Sequence, residues 1–511
     1  MIVETEEKFV GKKLYGYQKK SLDEIFDKLN DESEGNILFQ LPTGGGKTVI
    51  FSEITRRFIA ESNKKVMILT HRIELCKQTS RMLDEFQVAN KVIDSQVKAL
   101  PTDNPFMCYV AMVETLNNRL NDEVFDVGDV GLVIIDEAHY NSFTKLFKFF
   151  EQSTILGVTA TPLSSNMKLP MKDNYSDLII GESIPSLIKN GFLARPSVFS
   201  YDVGLTSLKI GMNGDYTVKS SEALYTNYSM REKLLYSYNQ RSKGKKTLIF
   251  NNGIKTSIYV YNTFAEAGYD IRHLDNTHSK KERAEILEWF RTKPDAILSS
   301  VSILTTGFDE PSVDTIILNR ATRSLTLYFQ MIGRGSRVLP GKTDFNIIDL
   351  GNNVARFGPW DGNIDWNKIF ISPDYYLESL LADAELERRF KYVMPEEIRS
   401  QFSKSDDVTF DINEEYDRIT KMRERPQKVL ENSVVQHAKI CIENSEDLFD
   451  AWSLARLLTA DIAHRVKAYA YCITKSTLNY RKWLQEDYMR QLRAAVKVHF
   501  DAIAYEDDED E

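Results

Sequence analysis

Cysteine is scarce, with only Cys76, Cys108, Cys441 and Cys472 in 511 residues. None has another close by, so paired-cysteine zinc or redox chemistry is excluded, and free thiols in a reducing compartment are expected. Long apolar runs are missing too. No stretch approaches the ~20 residues that a membrane span needs. The opening MIVETEEKFVGKK carries charge where a signal peptide has an apolar core. These absences predict a cytoplasmic protein with no membrane partner. No carboxylate–lysine set of a nuclease stands out. Apart from His71 and His139, the histidines follow no recognisable pattern.

The chain has hydrophobic residues at 42% and charged residues at 27%, which reads as globular, and its length calls for about three domains. Net charge is −9, but its distribution matters more than its sum for contact with phosphates. Residues 501–511 hold seven acidic side chains and no basic one, whereas 451–500 hold nine basic and three acidic.

Short apolar runs separated by amphipathic stretches begin near residue 17. Asn36–Leu41, Val66–Thr70, Cys108–Met112, Leu132–Asp136 and Ile155–Ala160 predict buried parallel strands. A second set follows at Thr247–Asn251, Ile271–Leu274, Ala296–Ser300, Thr315–Asn319 and Phe345–Leu350. Glycine becomes rare after about residue 370, and long helical stretches take over. The fold class expected is α/β: two tandem doubly wound domains, at 1–165 and 236–365, joined by a connector at 166–235. A mainly helical accessory domain at 366–500 and an acidic disordered tail at 501–511 complete the expectation.

Leu41-Pro-Thr-Gly-Gly-Gly-Lys-Thr48 follows a strand and opens a helix. Thr43, Gly44, Gly45 and Gly46 let backbone N–H groups face a polyphosphate, with the helix dipole in support. Lys47 can reach the terminal phosphates and Thr48 can ligate Mg²⁺. About 90 residues on, Leu132-Val-Ile-Ile-Asp-Glu-Ala-His139 ends a buried strand in two carboxylates. Asp136 there can hold Mg²⁺, and Glu137 can orient or deprotonate an attacking water.

These residues resemble superfamily 2 helicases and translocases of the DExH (DEAH-box) group, and the likeness runs in order through the first 350 residues. It implies two RecA-like domains, with ATP and Mg²⁺ as cofactors. Tyr15-Gly-Tyr-Gln18 is similar to the adenine-reading element, which casts Tyr15 and Gln18 as ATP-binding. Leu69-Thr-His-Arg72 and Val113-Glu-Thr115 look like motifs Ia and Ib, which casts Arg72 and Thr115 as nucleic-acid-binding. Asp136-Glu-Ala-His139 and Thr159-Ala-Thr161 resemble motifs II and III, which casts His139, Thr159 and Thr161 as coupling residues. In the second half, Leu248–Asn251 looks like motif IV. Leu304-Thr-Thr-Gly-Phe-Asp-Glu-Pro311 resembles motif V, with Thr305 and Thr306 on nucleic acid and Gly307 and Asp309 on ATP. Gln330-Met-Ile-Gly-Arg-Gly-Ser-Arg337 looks like motif VI. There Gln330, Arg334 and Arg337 join Lys47, Asp136 and Glu137 as catalytic residues. The two arginines, three apart at a helix end, would project from one face.

Asn319–Ser324, Asp349–Gly358 and Asn213-Gly-Asp-Tyr216 are closest in pattern to RadD-type bacterial DNA repair helicases and to restriction-enzyme motor subunits. The RadD-type C-terminal cysteines have no counterpart here. The implied function is ATP-dependent movement along DNA or its unwinding, in repair, recombination or phage-related processing. DNA is favoured over RNA because motifs III and VI read TAT and QxxGRxxR, where DEAD-box RNA helicases carry SAT and HRxGRxxR. An RNA helicase, a non-enzymatic adaptor and a motor subunit of a restriction or defence complex are the alternatives. The basic, aromatic segment 456–497 has two readings: an accessory nucleic-acid surface, or helices with a solvated basic face. Protein partners would dock through the helical domain.

Overall fold

The computed structural model describes residues 13–31, 35–97, 105–122, 128–140, 142–166, 168–301, 304, 308–390, 392–473 and 477–509. The chain divides into two compact units, Met1–Ala382 and Asp383–Glu511.

The first unit begins with α1 (Gly16–Leu29), β1 (Ile37–Gln40), α2 (Lys47–Ser62), β2 (Lys65–Thr70), α3 (Ile73–Glu85), β3 (Asn90–Ile93), β4 (Cys108–Met112), α4 (Val113–Asn121), β5 (Val130–Asp136), β6 (Thr154–Thr159) and β7 (Asp177–Ile180). Its seven strands are all parallel, in the order β3-β4-β2-β5-β6-β1-β7. Side chains alternate between two cores, as the period of a strand requires. Ile37 and Phe39 pack with Leu22 and Ile25 of α1 and Ile50, Phe51 and Ile54 of α2. Leu38 joins Met67, Tyr109, Val133 and Tyr175 on the other side. A sheet buried on both faces explains why its strands read as unbroken apolar runs.

The chain continues through α5 (Ile184–Lys189), β8 (Arg195–Ser200), α6 (Val218–Tyr225), α7 (Tyr228–Arg241), β9 (Thr247–Asn251), α8 (Ile254–Glu266), β10 (Ile271–Leu274), α9 (Lys280–Thr292), β11 (Ile297–Val301), β12 (Thr315–Asn319), α10 (Leu325–Ile332) and β13 (Asp344–Asp349). The second sheet is also parallel, in the order β10-β11-β9-β12-β13-β8. Helix starts follow local chemistry. Ser279 and Glu282 form a reciprocal capping box on α9, and the Ser324 hydroxyl accepts the Leu327 N–H on α10; each such cap stabilises by about 1 kcal/mol.

The stretch 166–235 is not a free-standing connector. Its β7 extends the first sheet beside β1, and its β8 closes the edge of the second beside β13. An edge position satisfies only one side of a strand, which suits these short and partly polar sequences. After α11 (Asn353–Phe357) come α12 (Trp366–Ile371) and α13 (Pro373–Glu378). These were expected in the accessory domain, yet they belong to the first unit. Trp366 and Ile369 join the core of the second sheet, while Phe370 enters the first sheet's core. One short helix therefore braces both lobes, and the division between units falls after Ala382.

The second unit is helical: α14 (Asp383–Arg389), α15 (Glu396–Arg399), α16 (Ile412–Lys421), α17 (Lys428–Glu443), α18 (Leu448–Leu457), α19 (Thr459–Cys472) and α20 (Leu478–Glu509). The tail expected to be disordered is helical through Glu509, a continuation of α20; residues 510 and 511 lie outside the described residues. Three members of the basic, aromatic segment are interior. Arg465 is 1% exposed and pairs with Asp461 at 2.9 Å. Tyr488 hydrogen-bonds His437 and Ser433 inside the bundle, and Tyr469 is in its apolar core. Burial of a charge demands such a partner, so these residues serve packing, whereas Trp483 stays half-exposed.

Gly157 lies mid-strand in β6, where an added Cβ would sit 2.6 Å from the buried Tyr175 ring. Over-packing of this kind costs about 1–3 kcal/mol. Gly157→Ala is expected to lower the urea midpoint of the first unit; an unchanged midpoint would contradict this packing.

Candidate nucleotide site between two lobes

Strand β1 delivers the glycine loop. Gln40 Nε2 donates to the Ala160 carbonyl (3.0 Å), and the Leu41 N–H donates to the Thr159 carbonyl (3.0 Å), which ties the loop to the end of β6. Gly44 and Gly46 both have φ +88°, a region that costs an L-residue roughly 1–2 kcal/mol. Gly46 caps α2. Space is equally restrictive: a Cβ on Gly46 would meet Gln18 Nε2 at 2.5 Å. Lys47 Nζ donates to the Leu41 carbonyl at 3.3 Å, across the mouth of the loop.

The N-terminal segment closes one side. Gln18 is buried, and its Oε1 accepts the Tyr15 N–H (3.0 Å). Tyr17 donates its hydroxyl to the Gly45 carbonyl (2.9 Å). Half-exposed Tyr15 packs on Phe192, with ring centroids 4.5 Å apart. Together these rings form an aromatic shelf beside the loop.

Strand β5 ends in the buried carboxylate pair. Asp136 Oδ1 accepts the Glu137 N–H (3.0 Å), and Glu137 has φ +54°. A non-glycine residue there stores strain, which clusters where geometry serves chemistry. Glu137 Oε2 is buried and accepts no hydrogen bond among the described residues. Burial, then repulsion from Glu137, raises the Asp136 carboxyl to about 7. Burial opposes ionisation of Glu137 as well, but Lys47, His139 and Arg334 together hold it below its ordinary value. Burial lowers the Lys47 ammonium, against the pull of Glu137 and Asp136.

His139 connects this pair to the second lobe. Its Nδ1 is 3.1 Å from Thr159 Oγ1 and its Nε2 is 3.4 Å from Gln330 Nε2. Thr159 donates to the Thr161 carbonyl (3.0 Å), so it accepts from His139, which places the proton on Nδ1. Burial keeps the ring neutral by lowering its pKa. Thr161 Oγ1 then donates to Thr326 Oγ1 of α10 at 2.8 Å.

From the second lobe, the turn after α10 reaches the glycine loop. A Cβ on Gly333 would strike the Thr43 side chain at 2.8 Å, and Ser336 Oγ is 3.5 Å from the equivalent point on Gly44. The helix stops at Ile332, so Arg334 and Arg337 do not share a helical face as expected. Arg334, 5% exposed, donates to the Phe308 carbonyl (2.6 Å). Arg337 pairs with Asp309 (2.7 Å), and its Nη1 is buried with no hydrogen bond among the described residues. Burial, then repulsion from Arg337, lowers the Arg334 guanidinium to about 9. Thr305, Thr306 and Gly307 lie outside the described residues.

Arg72 starts α3 and Thr115 lies in the first turn of α4. Since β2 and β4 pair in register, Thr70 with Met112, both residues stand at the carboxyl edge of neighbouring strands. Open parallel sheets bind ligands along that edge. Tyr17, Phe192, Thr326 and Ser336 were not anticipated. Tyr17 lay within the quoted tetrapeptide, but Phe192 approaches only through the fold.

Residues 11–164 match the family "Type III restriction enzyme, res subunit", and residues 228–338 match "Helicase conserved C-terminal domain". A 51.5 kDa protein of a Lactococcus phage is 30% identical over 337 residues, covering 65% of this chain and 69% of its own. The chain belongs to the superfamily 2 helicases. A putative ATP-dependent helicase of Saccharomyces cerevisiae is 28% identical over 357 residues, with 66% of this chain and 51% of that protein covered. The fragment structure of a putative type I restriction HsdR subunit from Vibrio vulnificus has the same fold. Its TM-score is 0.53 at 22% identity, covering 68% of this chain and 67% of the fragment. The chain thus spans about half the length of the yeast protein and about two thirds of the other two. This superfamily 2 member is an ATP hydrolase with ATP-dependent activity on nucleic acid. Among the described residues, no helix is long and apolar enough to cross a membrane.

The raised Asp136 carboxyl has a sign that stability measurements read. Its folded value lies above the unfolded ~4, so its contribution to stability is fully present below pH ~4 and is lost as pH rises toward about 7. Asp136→Asn is therefore expected to raise the urea midpoint of the nucleotide-free protein at pH 8, with a smaller gain at pH 5. A variant less stable than the parent at both values would contradict the assignment.

Proposed function

We propose that the chain is a DNA translocase or helicase in which ATP bound by the first lobe is hydrolysed only when the second lobe closes on it. The contact of the Gly333–Ser336 turn with Thr43 and Gly44 carries this proposal. It brings Arg334 within electrostatic reach of Lys47 and Glu137.

On this reading the N–H groups of residues 44–48 cradle the phosphates and Lys47 leaves the Leu41 carbonyl for the β- and γ-phosphates. Tyr15, Gln18 and the Phe192 ring flank the base. Mg²⁺ fits the site: a buried carboxylate, Asp136, and the Thr48 hydroxyl would hold it, and it would supply charge neutralisation on the phosphates. Glu137, whose buried Oε2 lies 3.3 Å from His139 Nδ1, orients the attacking water and takes its proton. Arg334, with Arg337 beside it, stabilises charge on the transferring phosphoryl group. Gln330 and His139 relay the state of that site through Thr159 and Thr161 to Thr326.

Arg72 and Thr115 on the first lobe, with Thr305 and Thr306 on the second, hold the phosphodiester backbone. Backbone contacts carry no base code, so sequence preference is weak. DNA is preferred over RNA because restriction subunits are among the relatives, and because TAT and QxxGRxxR depart from DEAD-box wording. A prokaryotic or phage cytoplasm suits the likeness to the Lactococcus phage protein.

Lys47→Ala is expected to abolish ATP hydrolysis while leaving DNA affinity within a few fold. The parent should be stimulated more by single-stranded or forked DNA than by RNA of the same sequence. Turnover by the variant would refute the site, and equal stimulation by RNA would refute the DNA preference. Thr326→Val, which removes one cross-lobe hydrogen bond, should weaken stimulation by DNA more than basal turnover.

A further inference from the structure

Three side chains at the edge of the second sheet converge far along the chain from the residues used above. His273 is on β10, Asp275 just follows it, and His278 precedes the Ser279 cap of α9. One ligand atom from each lies within 4.8 Å of the others. His273 Nε2 is 3.1 Å from Asp275 Oδ2, and His278 Nδ1 is 3.2 Å from Asp275 Oδ1.

Both separations lie at the long end of the ordinary N–H···O range of about 2.7–3.2 Å. N–H groups that donate to a carboxylate settle at about 2.7–2.9 Å when charge assists them, and both separations are longer. The Asp275 backbone N–H also approaches the His278 Nδ1, at 3.3 Å. That nitrogen can donate to the carboxylate or accept this N–H, not both, and it binds a cation only by giving up the long N–H contact. Asp275 Oδ1 already accepts the Thr277 N–H (2.8 Å) and hydroxyl (2.6 Å). On the other side, His273 Nδ1 is 2.7 Å from Ser257 Oγ, which is 2.8 Å from Ser299 Oγ. Ser299 has the Ser257 carbonyl as an acceptor at 3.1 Å. In one of the two tautomers open to His273, Nδ1–H donates through both hydroxyls to that carbonyl and Nε2 turns a lone pair toward Asp275.

With both ring nitrogens in their unprotonated form, two lone pairs and a carboxylate converge, an arrangement that a cation among them stabilises. Ligands on a tetrahedral zinc ion, with bonds of about 2.0–2.1 Å, stand about 3.3 Å apart, close to the separations here. The second partner of His273, Ser257, is the orienting contact that metal-ligating imidazoles make. Asp275 is buried and the two imidazoles are half-buried, which leaves room for water as a fourth ligand.

We propose that His273 Nε2, Asp275 and His278 Nδ1 form a binding site for a zinc-type divalent transition-metal ion. Occupancy fastens the end of β10 to the start of α9. That helix carries Arg283, which lies 3.6 Å from Glu74 of α3 on the first lobe. The ion steadies a helix on the moving side of the cleft and takes no part in the chemistry there.

The test uses full-length protein stripped with a chelator and titrated with zinc in the absence of nucleotide. The parent should bind one more equivalent than either His273→Gln or His278→Gln. Its Tm should rise with zinc where those of the variants do not. Cobalt in place of zinc should give the parent visible ligand-field bands that both variants lack. Circular dichroism and retained basal ATPase establish that the variants fold. Equal stoichiometry in folded parent and variants, or bands that persist in both, would overturn the site.

Discussion

Charge buried away from solvent is the constraint on which the cleft depends. Lys47, Asp136, Glu137 and Arg334 each have an ionisation displaced by burial and by the others. None could be held there alone, because an isolated buried charge costs far more than a fold of this size can offset. They are tolerable only as a set, and part of the set comes from each lobe. The strained backbone of Glu137 and the buried carboxylate oxygen that accepts no hydrogen bond among the described residues are costs of the same kind. Such costs are characteristic of sites organised in advance for a charged transition state.

The same constraint links chemistry to motion. Arg334 can remain charged in the interior because Phe308 accepts from it and Glu137 faces it. Nucleotide would add the strongest anion in the site, so its γ-phosphate interacts differently with the open and closed arrangements. A ligand shifts a conformational balance only through such differential contact. The chain of His139, Thr159, Thr161 and Thr326 is a physically continuous route between lobes, with the α12 brace as a second connection.

Much of this was legible in the residues. Strands buried on both faces announce themselves as apolar runs, and the glycine loop and DEAH tetrapeptide are local signals whose geometry follows from backbone chemistry. What escaped was set by context beyond the local sequence. Asn90–Ile93, Asp177–Ile180 and Arg195–Ser200 are short strands near or at sheet edges, with mixed polarity, and they gain their status from a neighbour. Trp366 and Phe370 looked like part of a helical domain because helix type does not reveal which core a helix joins. Arg334 and Arg337 were placed on one helical face, but Gly333 ends the helix just before them. His273 and His278 looked unremarkable because a strand end and a loop must fold before they meet Asp275.

Single-turnover hydrolysis by Arg334→Ala tests the central claim most directly, with ATP affinity measured in parallel. ATP affinity should stay within a few fold of the parent while the hydrolysis rate falls by about 10³–10⁵-fold. A rate close to that of the parent, at saturating ATP and DNA, would show that the second lobe does not complete the site and would contradict the account.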